Sequence, residues 1–349
     1  MLQSERLQTF VALGNFLRSV DAQPELTQIA QQAYYKNSWF TPANSLKALR
    51  AIADDFLMAD RLTDWLRPYR VEPDTPRAVG IVMAGNIPAV GFHDLLCVLL
   101  SGHKLLAKLS SQDFVLIHYL IQKLKEINPS FSPLIEEVER LNAAEAYIAT
   151  GSTNTARYFD YYFAKKPHII RKNRTSVGIL MGEESDGEFE KLGHDISDYY
   201  GLGCRNVSTI LVPDDYDFTP MLRALEPGVQ VYLNSHKYQN NYDYNKSIYL
   251  INAVPHYDNG YLLLTENDAL VSPISVLYYQ TYQTPTDAEA WLSAHADRIQ
   301  VITSAQANPN PGSADRGWFA GSIPFGQTQC PQLGDFADGV DTMRFLEEL

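Results

Sequence analysis

The stretch "AVGIVMAGNIPAVGFHDLLCVLLSGHKLLAKL", residues 78–109, reads as a buried strand to Ala84, a turn at Gly85-Asn86, a helix that starts after Pro88, and a second strand at "KLLAKL" (104–109). Its apolar runs are continuous rather than alternating, as strands covered on both faces require, and the helix between them is the crossover that parallel neighbours need. The same texture continues downstream. A helix over 112–126 and another near 132–142 lead to "AYIAT" (146–150), a helix over 153–164 and "HII" (168–170). A second set follows, with "SVGILMG" (176–182), a helix over about 186–200, "VSTILVP" (207–213), a helix near 217–225, "GYLLLT" (260–265), "ISVLYYQTY" (274–282), a helix over 285–296 and "IQVITS" (299–304). The polar "LNSHKYQNNYDYNKS" (233–247) reads as an insertion between elements. Upstream, residues 5–67 carry apolar positions at helical period, closed by Pro68 and the polar "EPDTP" at 72–76. The pattern predicts an α/β protein of two lobes with a helical N-terminal region.

Composition narrows the function. With 349 residues, 45% of them hydrophobic, the chain can bury a substantial core. Its 28 basic against 41 acidic residues give a formal charge of -13, which disfavours nucleic acid or an anionic membrane as partner. Apolar runs such as "LLCVLL" (95–100) fall far short of the roughly 20 residues that span a bilayer, and no basic-then-apolar leader opens the sequence. A cytoplasmic protein is expected. The three cysteines, Cys97, Cys204 and Cys330, suggest neither a disulfide framework nor a zinc site, and the eight histidines form no HExxH, so no metal is assigned.

Four segments could carry chemistry. Asn86 follows the strand at 78–84, where ligands of open α/β sheets bind, and its amide can donate to an oxyanion; equally, Gly85-Asn86 is a turn and Pro88 a helix start. Lys108 ends the strand of "LLAKLSSQD", within reach of ribose or phosphate, or simply solvated. In "YIATGSTNTARYF", Gly151 lets backbone approach a ligand and the following helix start suits phosphate, while Ser152 or Thr153 serves as readily as an N-cap. Cys204 lies in "GLGCRN" between Gly203 and Arg205, whose charge would favour thiolate; the alternative is an inert buried thiol, which "LLCVLL" suits well for Cys97. Since an ordinary thiol, with a pKa of about 8.5, is only a few per cent ionised at neutral pH, such help matters to a nucleophile.

Together and in this order, these segments resemble the aldehyde dehydrogenase superfamily over about residues 77–349, and within it the fatty acyl-CoA reductase branch, the LuxC family of bacterial luminescence systems. "AGNIP" is similar to the family's "WNFP", which makes Asn86 the oxyanion asparagine. "LLAKLSSQD" is similar to the strand whose lysine binds the adenosine ribose, here Lys108. "ATGST" is similar to "FTGST" beside the pyrophosphate, giving Gly151 and Ser152, and "GLGCRN" takes the place of the "GQxC" nucleophile, giving Cys204. The intervals of 22, 43 and 53 positions between Asn86, Lys108, Gly151 and Cys204 are near the family's own. "PISVLYYQTY" and "IPFGQTQCPQLGDFADGVDTMRFL" resemble its "GPV" strand and its closing "PFGG" segment.

The resemblance implies an aldehyde-dehydrogenase-like fold: a helical region over 1–76, a Rossmann-like dinucleotide-binding domain over 77–175 with about 320–349, and a catalytic cysteine domain over 176–319. It implies reduction of a fatty acyl-CoA, or acyl-protein, to the aldehyde through a Cys204 thioester. A homo-oligomer and an acyltransferase or synthetase partner are also implied. Three departures bear on the chemistry. Hydrolytic members carry a water-activating glutamate in "ELGGK", whereas "IRKNRTSVGIL" here places Arg171 or Lys172 near that position. Ser111 stands where NAD-specific members place a ribose-holding carboxylate, so a 2′-phosphate meets no repulsion and NADPH is expected, with NADH the other candidate. Ala269, four residues before Pro273, replaces the glutamate that holds the nicotinamide ribose. His194, on the helix before Cys204, reads as a surface histidine rather than a proton shuttle. The rival activities are an acyltransferase or thioesterase using the same cysteine without redox, and a dehydrogenase acting on an aldehyde or acyl phosphate.

Overall fold

The computed structural model describes residues 1–151, 153–307, 319 and 321–349. They form two compact units, Met1–Asn173 with Pro331–Leu349, and Arg174–Cys330.

The first unit opens on helices α1 (Gln3–Arg18), α2 (Gln23–Lys36), α3 (Pro42–Ala51) and α4 (Ala59–Leu66), with a π-helical turn at Ile52–Phe56. A five-stranded parallel sheet follows: β1 (Ala78–Val82), β2 (Lys104–Lys108), β3 (Ile135–Glu137), β4 (Ala146–Thr150) and β5 (His168–Arg171), in the order β3-β2-β1-β4-β5. Helices α5 (Phe92–Leu100), α6 (Phe114–Ile127) and α7 (Thr153–Phe163) connect the strands. Helix α5, "FHDLLCVLL", is apolar on nearly every side because it is covered on every side: Leu95 to Leu100 are fully buried in one core that also takes in Phe10, Leu13 and Leu17 of α1. The N-terminal helices thus share a core with the sheet. The chain steps outward from β1 to β2 and β3, then returns to the other side of β1 as β4. This reversal leaves a crevice at the carboxyl ends of β1 and β4, where open α/β sheets hold their ligands.

The helix expected near 132–142 does not form. Pro129–Leu134 is a 3-10 turn with Pro133 inside it, and Ile135–Glu137 pairs with Leu105–Ala107 as the edge strand β3. Pro133 lacks the amide that a longer helix would need.

The second unit contains β6 (Thr175–Ile179), α8 (Asp186–Ser197), β7 (Val207–Pro213), α9 (Thr219–Leu225), α10 (Val229–Leu233), α11 (His236–Ile251), β8 (Tyr257–Asp258), β9 (Leu263–Glu266), β10 (Val276–Tyr282), α12 (Pro285–Ala294), β11 (Ile299–Ser304) and β12 (Ile323–Pro324). Its seven-stranded sheet runs β12-β11-β6-β7-β10-β9-β8, parallel except where β8 meets β9. The segment 233–247, expected as an insertion, is mostly α11. Its buried side is Tyr238, Tyr242 and Asn245, a helical stripe of amphipathic residues rather than aliphatic ones. The chain then returns to the first unit, ending in α13 (Thr342–Glu347). Among the described residues, no helix is long and apolar enough to cross a membrane.

Candidate functional site

In the first unit, the residues singled out from the sequence gather at the carboxyl ends of β1, β2 and β4. Gly85 is obligatory there, because a Cβ would lie 2.3 Å from the Ser110 hydroxyl oxygen. The turn after β1 therefore lies directly against the turn after β2. Asn86 is exposed on it, and Ala89, with φ 57, takes the left-handed conformation that β-carbons disfavour. Lys108 and Ser111 are exposed, and the Lys108 carbonyl accepts the Met83 amide at 3.1 Å. Gly151 follows β4 and donates its N–H to the Arg171 carbonyl at 3.2 Å; a Cβ there would meet Phe159 at 3.0 Å. Ser152 lies outside the described residues.

Two charged residues of this unit are buried: Asp113, which carries no sequence signal of its own, and Arg171, which the sequence marks only as standing near the place of the missing glutamate. Asp113, at the start of α6, is 2% exposed and neither carboxylate oxygen accepts a well-formed hydrogen bond. Burial pushes its pKa well up, against the pull of the nearby Ala89 N–H. Arg171, at the end of β5, donates to Asp94 at 2.5 Å and to the Thr342 hydroxyl at 2.8 Å, with its side chain 4% exposed. Burial opposes its charge most strongly, but Asp94, Cys97 and Asp338 together outweigh it and its pKa rises. Only the fold shows that α5 supplies its acid.

In the second unit, Cys204 sits at the end of an unusual turn. Helix α8 stops at Ser197, three residues short of expectation, and Tyr199 (φ 53), Tyr200 (φ 62) and Gly201 (φ 74) are successively left-handed. Two Cβ-bearing residues in this region cost about 1–2 kcal/mol each. What holds them is burial of both rings, with Tyr200 edge-on to Tyr232 at 6.1 Å. Gly203 follows at φ 98, then Cys204, half-buried. The segment is pinned to the start of β6: the Cys204 carbonyl accepts the Ser176 hydroxyl at 3.1 Å, and the Asn206 carbonyl accepts the Ser176 N–H at 2.9 Å and the Thr175 hydroxyl at 3.0 Å. Arg205 donates to the Thr328 carbonyl at 3.1 Å. Beside the turn lies a cavity of about 10 Å³, lined by Tyr200, Gly201, Asn206 and Tyr238 among others, room for about one water and not for an alkyl chain.

The other candidates fall outside this geometry. Cys97 is fully buried, and burial drives its thiol pKa well up. His194 is 67% exposed, 3.3 Å from Asp198. The Ala269 N–H donates to the Asn267 side chain at 2.8 Å, a turn contact. The structure thus presents a strand-end set, Asn86, Lys108, Ser111 and Gly151, in one unit and a clamped cysteine turn in the other.

No family model matches the chain, and no curated protein matches it in sequence. Solved structures do. An NAD-dependent aldehyde dehydrogenase from Sinorhizobium meliloti aligns at TM-score 0.66 and 12% identity over 87% of this chain and 70% of that one. The aldehyde dehydrogenase KauB from Pseudomonas aeruginosa aligns at TM-score 0.63 and 13% identity, over 88% and 73%. An aldehyde dehydrogenase from Bacillus cereus, solved as its NAD+ complex, aligns at TM-score 0.59 and 14% identity, over 87% and 72%. The likeness is one of architecture: the chain has the aldehyde dehydrogenase fold, with its Rossmann-like and catalytic α/β parts.

Proposed function

We propose that the protein is an acyl-CoA reductase, which takes a long-chain fatty acyl group from CoA onto Cys204 and releases it as the aldehyde. The observation that carries this reading is the environment of Arg171. Of Arg171 and Lys172, which the resemblance puts near the place of the water-activating glutamate of hydrolytic relatives, Arg171 is a buried cation committed to Asp94 and Thr342. With no carboxylate there, a Cys204 thioester has no base from that position to turn water on it, and its lifetime favours transfer of hydride instead.

The residues at the strand ends fit a nicotinamide dinucleotide, as the NAD-dependent and NAD+-bound neighbours suggest. Lys108 and Ser111 would hold the adenosine ribose, and the absence of a carboxylate at Ser111 suits a 2′-phosphate, hence NADPH. The Cβ-free backbone at Gly151, with the start of α7, would receive the pyrophosphate. Such a cofactor supplies the hydride. The protein's own part begins when the Cys204 thiolate attacks the thioester carbonyl; the resemblance assigns the oxyanion to the Asn86 amide and the Cys204 N–H, and the C–S bond to CoA breaks as CoA thiolate departs. One thioester replaces another, so this exchange is nearly balanced. After reduction, the thiohemiacetal oxygen collapses to the carbonyl, the Cys204 C–S bond breaks, and thiolate and aldehyde separate. Delivery of acyl groups by an acyltransferase or synthetase partner, and a homo-oligomeric state, accompany this reading.

Exposure to palmitoyl-CoA without cofactor should leave an acyl mass on the Cys204 peptide, absent in Cys204→Ala and formed about 10²- to 10³-fold more slowly in Asn86→Ala. NADPH should then discharge it as aldehyde. CoA release across a range of chain lengths with no oxidation of NADPH or NADH would instead make the protein a thioesterase or acyltransferase.

A further inference from the structure

One buried carboxylate in the second unit is spent entirely on a segment more than a hundred residues away. Asp195, on α8 and 1% exposed, accepts the Gly326 N–H at 2.6 Å on one oxygen, and the Thr328 N–H at 3.0 Å and Thr328 hydroxyl at 2.7 Å on the other. The approach is built for this contact. Gly326 is left-handed at φ 82, and a Cβ on it would lie 3.2 Å from the Lys191 Cβ on the same helix. Thr328, fully buried, turns its remaining backbone group the other way: its carbonyl receives the Arg205 guanidinium, next in sequence to Cys204.

From this chain of contacts we infer that Asp195 is a positioning residue for Cys204: by anchoring residues 326–328, it fixes the Thr328 carbonyl that receives the guanidinium of Arg205, the residue after Cys204. The inference rests on Cys204 as the reactive thiol of the proposed function and on nothing else in that reading. A guanidinium left to swing into solvent would be screened and would stabilise a thiolate little. Held by a buried carbonyl, it is a fixed charge. Burial raises the Asp195 pKa, and three donors, two of them backbone amides, pull the other way. Titratable groups described about this corner include Lys191, whose Cβ faces Gly326, His194 and Asp198, the latter acting on Asp195, Tyr199 and Tyr232, and Cys330 near Tyr199.

The sign of the effect separates positioning from direct electrostatics. Removing an anion near a thiol makes thiolate easier to form, whereas releasing Arg205 makes it harder. Iodoacetamide alkylation of the Cys204 peptide, followed by mass spectrometry from pH 6 to about 9 to span the ordinary thiol range, reads this with no acyl substrate. Asp195→Asn should slow alkylation about threefold to tenfold at neutral pH, by moving the thiol's titration upward as much as one unit. Arg205→Ala should slow it equally, and the double variant no further. An unchanged or faster rate in Asp195→Asn, or full additivity, overturns the inference. Should Asp195→Asn fail to give a native circular-dichroism spectrum, Thr328→Val, which deletes only the hydroxyl donor, should show a smaller slowing; no slowing there overturns it as well. Normal alkylation behaviour in a protein that takes no acyl group from CoA would refute the reductase reading and leave the role of Asp195 standing.

Discussion

A buried carboxyl group with no well-formed hydrogen bond to either oxygen, as at Asp113, persists in a fold as the neutral acid or at a considerable cost in stability. Its surroundings explain why the cost is tolerated: Asp113 lies under the turn that carries Gly85, Asn86 and the left-handed Ala89, and its Cβ is one of the atoms that a Cβ on Gly85 would approach, at 3.1 Å. Burial raises its pKa above that of the unfolded chain, about 3.9. The folded state therefore binds the proton more tightly than the unfolded state. The acid is harmless below pH about 4, and stability is lost as pH rises from there towards the raised folded value. Asp113→Asn, nearly the same shape but with no charge to bury, should match the parent's melting temperature at pH 4 and exceed it increasingly towards pH 7. A difference that does not grow with pH would mean that the carboxylate finds a partner in solution.

The turn Tyr199–Gly201 is the element whose conformation decides where Cys204 stands, and it is held by side chains rather than by a backbone ladder. Gly201→Ala puts a Cβ at φ 74, 3.4 Å from the Ile196 carbonyl, and should cost about 1–2 kcal/mol in chemical denaturation; Leu202→Ala, at an ordinary φ of -89, carries no such conformational cost and serves as control. A Gly201→Ala protein of parental stability would show that the turn is free to relax. This element also marks where sequence stops being informative. Strands β1, β2, β4, β6, β7, β10 and β11 are apolar runs with turn residues at their ends, and periodicity alone locates them. Asn86, Lys108 and Gly151 follow from those ends. By contrast, "DYYGLG" contains two tyrosines that ordinarily prefer extended backbone, and the left-handed path is supported by burial of both rings, with Tyr200 packed on Tyr232 and Tyr238. Helix α11 stayed hidden for a related reason, since its buried stripe is tyrosine and asparagine. The pairings Asp195 with Thr328 and Asp94 with Arg171 span 133 and 77 positions and leave no local trace.

Taken whole, the chain carries a formal charge of -13, and the substrate proposed for it is a polyanion. Those charges repel, so the net field slows encounter, and added salt weakens the repulsion: the screening length falls from about 30 Å at 0.01 M to about 8 Å at 0.15 M. Lys108 and Arg205 are single cations, each flanked in its own unit by neutral residues in sequence, and neither forms a basic stripe able to reverse that field. The second-order rate constant for acylation of Cys204 by palmitoyl-CoA should therefore rise as salt increases over this range. An uncharged thioester, such as the N-acetylcysteamine ester of the same acid, should acylate Cys204 at a rate indifferent to salt, which separates encounter from chemistry. A rate that falls with salt for CoA but not for the uncharged ester would show that a local cationic path to the cysteine governs encounter and the overall charge does not. Equal behaviour of the two thioesters would show that the overall charge does not govern the reaction with CoA thioesters.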